Sequence, residues 1–124
     1  MANEAQANAS LNFSKSGAVL AGAAGTATTV AGTKCANVTQ LIPTASTVVA
    51  FGAITAVGWF IIQNLDNTNY VDIGFDNSTW PIRLKADANA GNAGGFIMAQ
   101  GNSPTVYARA NSASCSILAR GLDL

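Results

Sequence analysis

Any chemistry in this chain must come from few side chains. They are six carboxylates (Glu4, Asp66, Asp72, Asp76, Asp87 and Asp123), six cations, two thiols and no histidine. The absence of histidine removes the commonest general base and the commonest transition-metal ligand. Serines are frequent, but no G-x-S-x-G occurs and no base is evident to activate one. The glycines at 17, 22 and 25 are not followed by G-K-[ST], so they make no phosphate loop. Asp66, Asp72 and Asp76 come nearest to a metal-binding spacing. They lack the glycine and the closing bidentate glutamate of a calcium loop, and Asp66 and Asp76 lie in Asn/Asp-rich segments typical of turns. Cys35 and Cys115 form no C-x-x-C or zinc pattern. Cys115 alternates with Ile117 as a small buried hydrophobe would, while a disulfide to Cys35 requires their strands to be neighbours. The expectation is therefore no catalytic residue, no metal, no cofactor and no enzymatic activity. The remaining notable side chains are large anchors: Leu11, Phe13, Trp59, Trp80 and Tyr107. Core packing is one role for the tryptophans. Contact with a neighbouring subunit or a sugar is the other.

Charge narrows the class of partner. Charged residues make up 10% of the chain and the net charge is zero, against roughly 25% charged in an ordinary soluble domain. Lys15, Lys34, Arg83, Lys85, Arg109 and Arg120 are scattered along the sequence, which weighs against nucleic acid, since phosphate binding needs clustered cations. So little charge protects a monomer poorly against self-association, so a homo-oligomer or a component of a larger assembly is expected.

The elements that must position these residues read as short strands. Residues 1–10 are small and polar and resemble a flexible arm, followed by a short alternating strand at 11–14. Residues 17–33 (GAVLAGAAGTATTVAGT) contain too many glycines for a helix. A strand leading into an extended loop, or an arm lying on a neighbouring subunit, fits them better. Strands are expected at 35–42, 47–51, 58–65, 70–75, 80–86, 96–99, 105–110 and 114–120, with a small-residue loop at 87–95. GWFIIQNL (58–65) is nearly continuous in apolar residues, as a strand buried on both faces would be. In YVDIGF (70–75), Val71, Ile73 and Phe75 should face inward. In WPIRLKA (80–86), Trp80, Ile82 and Leu84 should. Two domains of the chain follow: an arm and low-complexity segment at 1–33, and an antiparallel β-sandwich at 34–124. Residues 45–62 are uncharged and apolar, which raises the reading of a small membrane protein such as a holin. Their Val, Ile, Thr and Gly content and the lack of a flanking basic cluster favour strands instead. MANEAQANAS carries Glu4 where a secretory leader has basic residues, so assembly in the cytoplasm is expected.

Four stretches carry a resemblance: NLDNTNYVDIGFD (64–76), PIRLKA (81–86), FIMA (96–99) and TVYARANSASCSI (105–117). Together the second half of the chain resembles small virion proteins of tailed bacteriophages. A longer Ala/Gly/Asn loop stands between Ala86 and Phe96, where that group has a tight Pro-Gly turn. The resemblance implies a jelly-roll-like sandwich in a capsid decoration (cement) protein. Such a protein binds the major capsid protein as a trimer, with N-terminal arms reaching neighbouring subunits, and resides on the virion surface. A tail or neck component is the alternative within that class. A carbohydrate- or host-binding sandwich is the alternative outside it.

Overall fold

The computed structural model describes residues 4–86 and 94–124. The chain forms two compact units, residues 1–31 and 32–124.

The first unit is a hairpin. Strands β1 (Ala5–Lys15) and β2 (Ala18–Thr28) pair antiparallel over their whole length without a bulge. Ser16 and Gly17 join them with φ values of 52° and 85°. Two consecutive positive φ values define the tight turn whose twist matches that of paired strands. Gly17 takes its place at no steric cost. The expected polar arm with a four-residue strand is thus replaced by one long hairpin. The physical reason is pairing: Gly and Ala have weak preferences of their own, but Ala/Gly/Thr opposite Ala/Asn/Ser leaves nothing to obstruct an extended ladder.

The second unit is an antiparallel β-sandwich. Its strands are β3 (Cys35–Ile42), β4 (Thr47–Val48), β5 (Val57–Asn64), β6 (Val71–Gly74), β7 (Ile82–Leu84), β8 (Phe96–Gln100), β9 (Tyr107–Ala110) and β10 (Cys115–Asp123). One sheet has the order β3-β10-β5-β8 and the other β4-β9-β6-β7. The pairing is nested: β3 pairs with β10, β4 with β9, β5 with β8 and β6 with β7. Contacts β10–β5 and β9–β6 complete each sheet. The inward residues of both sheets form one apolar cluster, with Ile42, Ile62, Ile73, Ile117, Val71 and Val106 among its most completely buried members.

Alternation predicted much of this core. Val71, Ile73 and Leu84 point inward, as does Cys115 beside Ile117. Three expectations fail. Phe75 is 46% exposed, because β6 ends at Gly74 and the chain has already entered the next turn. Trp80 precedes β7 and does not join the core. From Trp59 onward β5 alternates: Phe60, Ile62 and Asn64 are buried, while Trp59, Ile61 and Gln63 are half-buried on the outer face. The segment at 47–51 forms only a two-residue strand, although Val49 and Phe51 still reach the core. Most of the loop expected at 87–95 lies outside the described residues.

Cys35 and Cys115 do not pair. Register places Cys35 opposite Leu122 and Cys115 opposite Ile42, at opposite ends of one ladder, and both thiols are free. Burial pushes the Cys115 thiol up to about 11, with the nearby Asp66 carboxylate adding to the effect. It is therefore protonated and unreactive at neutral pH.

Gly74 is required by a close approach. A Cβ there would lie 2.2 Å from the Thr79 carbonyl oxygen and 3.3 Å from that of Asp76. Backbone cannot swing aside as a flexible side chain can. Gly74→Ala is expected to cost about 1–3 kcal/mol, the range for overpacking, read as a lower urea midpoint with an unchanged slope.

Candidate functional site

Two turns in the sandwich are built alike. Asp66 Oδ1 accepts the backbone N–H groups of Thr68 (2.7 Å) and Asn69 (2.7 Å). Asp76 Oδ1 accepts those of Ser78 (2.8 Å) and Thr79 (2.6 Å), and the Thr79 hydroxyl donates to Asp76 Oδ2 at 2.8 Å. These are the side-chain-to-backbone bonds that make Asp a turn residue. The backbone N–H of Ser78, then the Thr79 hydroxyl and N–H, hold the Asp76 carboxyl at about 2. The N–H groups of Asn69 and Thr68 likewise lower that of Asp66. Both folded values lie below the unfolded value near 3.8. Their stabilising contribution is therefore complete above that value and is lost as pH falls through the lowered folded values, about 2 for Asp76. Melting curves between pH 5 and pH 2 are expected to show a smaller acid-induced fall in Tm for Asp66→Asn/Asp76→Asn than for the parent chain.

Asp72 is used differently. It stands at the centre of β6, directly opposite Arg83 on β7 and Arg109 on β9. Alternation turns it to the outer face of the sheet, yet it is only 3% exposed. Arg83 Nε donates to Asp72 Oδ1 at 2.8 Å and Arg83 Nη2 to Oδ2 at 3.3 Å. Arg109 Nη2 lies 3.6 Å from Oδ2 on the other side. The carboxylate bonds raise the pKa of the Arg83 guanidinium further. Each guanidinium also lies over an aromatic ring: Arg83 is 3.7 Å from the centroid of Tyr70, and Arg109 is 4.6 Å from that of Trp80. One carboxylate thus orients two cations. Both keep about half their side-chain surface open, 51% for Arg83 and 43% for Arg109. Tyr107 lies on the same strand face as Arg109, opposite Gly74 and Val48.

The three aspartates considered as metal ligands therefore serve separate purposes, two in their own turns and one between arginines. Among the described residues, no group of three or more His, Cys, Asp or Glu side chains is arranged to hold a metal ion.

The outer face of the other sheet has a different character. The registers bring Leu41, Leu118, Ile61, Met98 and Phe96 to that side, with Arg120 donating to Asn37 Oδ1 at 3.3 Å. Leu41 and Phe96 are exposed, and Trp59 also lies on this face, half-buried.

The hairpin has two unlike faces. Residues paired across an antiparallel ladder share a side. Leu11, Phe13 and Leu20 therefore lie together with alanines, Thr26, Thr28 and, at the turn, Lys15, while Gln6, Asn8, Ser10, Asn12 and Ser14 lie on the reverse with Val19. Leu11 is 66% exposed and Phe13 49%. An open depression of about 300 Å³ lies along it, lined by Ala9, Ser10, Leu11, Gly22, Ala23 and Ala24. It is a dent left by missing side chains, not an enclosed cavity.

Of the five expected anchors, the structure brings Trp80 and Tyr107 to one sheet, places Trp59 on the other, and puts Leu11 and Phe13 on the hairpin. Neither tryptophan belongs to the central apolar cluster. The Tyr70–Asp72–Arg83–Arg109 constellation was not anticipated. Alternation had turned Asp72 and Arg83 outward, but only register shows that both arginines face one aspartate. No protein-family model, curated protein or solved structure matches the chain.

Proposed function

We propose that this chain is a non-enzymatic structural protein of a tailed-phage virion, a decoration protein that binds and stabilises the capsid shell. The observation that carries this reading is the hairpin. Two strands alone are marginally stable in water. This ladder runs from Ala5 to Thr28 with no proline, no bulge and no charge between Glu4 and Lys15 or along β2. Strand edges that stay free normally carry one of those protections. Its Leu11/Phe13/Leu20 face and edges suit a neighbouring protein surface, and the outer face of the β3-β10-β5-β8 sheet, where Leu41, Leu118, Ile61, Met98 and Phe96 stand among polar residues, offers a second area.

Two further points support the reading. The nested strand order supports reading the sandwich as jelly-roll-like, an architecture used by viral capsid domains. The turn and strand sequences at 64–76 and 105–117 are those on which the resemblance to phage virion proteins rests. In this role the protein self-associates, as a trimer, and seats on the major capsid protein.

The test is cryo-electron microscopy of the intact virion with quantitative mass spectrometry of purified particles. Decoration requires density for this chain on the head and a fixed stoichiometry with the major capsid protein. Density on the tail alone would overturn it. Leu11→Lys/Phe13→Lys is expected to weaken shell binding by about a hundredfold or more, because each lysine would be desolvated in the contact. Asn12→Lys on the polar face is expected to leave it unchanged.

A further inference from the structure

We propose that the outer face of the β4-β9-β6-β7 sheet is a binding site for an acidic glycan, read through Arg83, Arg109, Tyr70 and Trp80. The residues that form it all belong to the sandwich unit, and the structural role is argued from the hairpin, so the site does not rest on that role.

Pre-organisation is the first argument. A free arginine loses considerable side-chain entropy when it is fixed on a ligand. Here that loss has already occurred: Asp72 is buried and holds Arg83 through two bonds, while Arg109 approaches its other side at 3.6 Å. Each guanidinium also lies over a ring, that of Tyr70 or Trp80, which restrains it further. The two arginine side chains nevertheless keep about half their surface open.

Charge is the second argument. One carboxylate faces two guanidinium groups, so the cluster carries an excess positive charge in a chain whose net charge is zero. Guanidinium forks suit a planar carboxylate.

The kind of surface decides the class of ligand. A protein-binding patch has an apolar centre. Among the paired residues of this sheet, those that face outward are Asp72, Gly74, Arg83, Tyr107 and Arg109, with the aliphatic Val48 beside them. The aliphatic residues that suit a protein contact lie on the opposite sheet. Aromatic edges, fixed hydrogen-bond donors and excess positive charge on a flat strand face fit a sugar bearing a carboxylate. Uronic acids supply that chemistry.

The probe is a defined oligogalacturonate, titrated into the full chain while Trp fluorescence and amide NMR shifts are followed. Trp80 lies against Arg109, so its emission reports occupancy. The expected result is saturable binding that weakens with salt, with shifts confined to β6, β7 and β9. Arg109→Ala should weaken it by at least about tenfold. Arg109→Lys should recover little, since lysine keeps the charge and loses the fork. A melting curve for each variant separates lost binding from lost folding, and Trp80→Phe keeps a ring while removing the indole signal. No saturation by oligogalacturonate, equal binding of a neutral galactose oligomer, equal binding of a glutamate oligomer, or undiminished binding by a folded Arg109→Ala variant would each overturn the proposal. Oligogalacturonate binding by a protein absent from phage heads would leave the glycan site standing and remove the decoration role. Head density without oligogalacturonate binding would do the reverse.

Discussion

Asn64→Ala is expected to be among the most damaging single substitutions in the sandwich, costing about 2–4 kcal/mol, from one buried and two part-buried groups left without a partner at about 1–3 kcal/mol for each fully buried one. Asn64 is fully buried at the end of β5. Its Nδ2 donates to the carbonyls of Asn69 (2.9 Å) and Leu84 (3.0 Å), and its Oδ1 accepts the N–H of Asp66 at 2.9 Å. Its backbone is engaged too, donating to Gly95 and accepting from Gly94. One side chain thus joins the end of one sheet, the turn after it and the end of β7 in the other sheet. Alanine would leave two carbonyls and one N–H without these partners. Aspartate has nearly the same shape but cannot donate to two carbonyls when ionised, so Asn64→Asp should be at least as harmful. Chemical denaturation of both variants against the parent chain tests this. A loss below about 1 kcal/mol for alanine would mean that water replaces all three bonds.

The second large effect separates two neighbours on one strand. Ile62 is fully buried and belongs to the central cluster, whereas Ile61 is half-buried on the outer face. Ile62→Ala should cost about 2–5 kcal/mol through lost burial and a residual cavity. Ile61→Ala should cost under about 1 kcal/mol in the isolated chain, because much of its surface is already wet. If the outer face of that sheet docks on a partner, Ile61→Ala would weaken binding while leaving the Tm of the free chain nearly unchanged.

This contrast also shows how far the sequence could be read. Where polar and apolar residues alternate, as in Val71–Asp72–Ile73 or Cys115–Ser116–Ile117, a single strand identifies its own inward face. In GWFIIQNL both faces are apolar, so alternation is silent and the outward residues look like core. The hairpin was hidden for the opposite reason. Alanine and glycine carry almost no facial signal, and its amphipathic character appears only when Leu11 is set opposite Gly22 and Phe13 opposite Leu20. The Asp72 cluster is a product of register across three strands, drawn from residues 72, 83 and 109. No local pattern contains that information. Alternation turns Asp72 and Arg83 outward on their own strands, but not toward each other or toward Arg109.

The nested strand order has a consequence in time. Its innermost pair, β6 with β7, is separated by a short turn, and each outer pair spans a longer stretch of chain. Loop closure is cheapest for the shortest span, so the inner pair is the natural place for folding to begin. The central strand β10 is the last of the eight to be synthesised, and both β3 and β5 depend on it. At synthesis rates of about 5–20 residues per second, the earlier strands wait several seconds for that partner. During this interval Ile42 and Ile62 remain uncovered, and mostly non-local pairing makes the final closure slow. The nascent chain should therefore be most prone to misassociate just before β10 emerges, which ribosome-arrested chains ending before and after residues 115–123 would reveal.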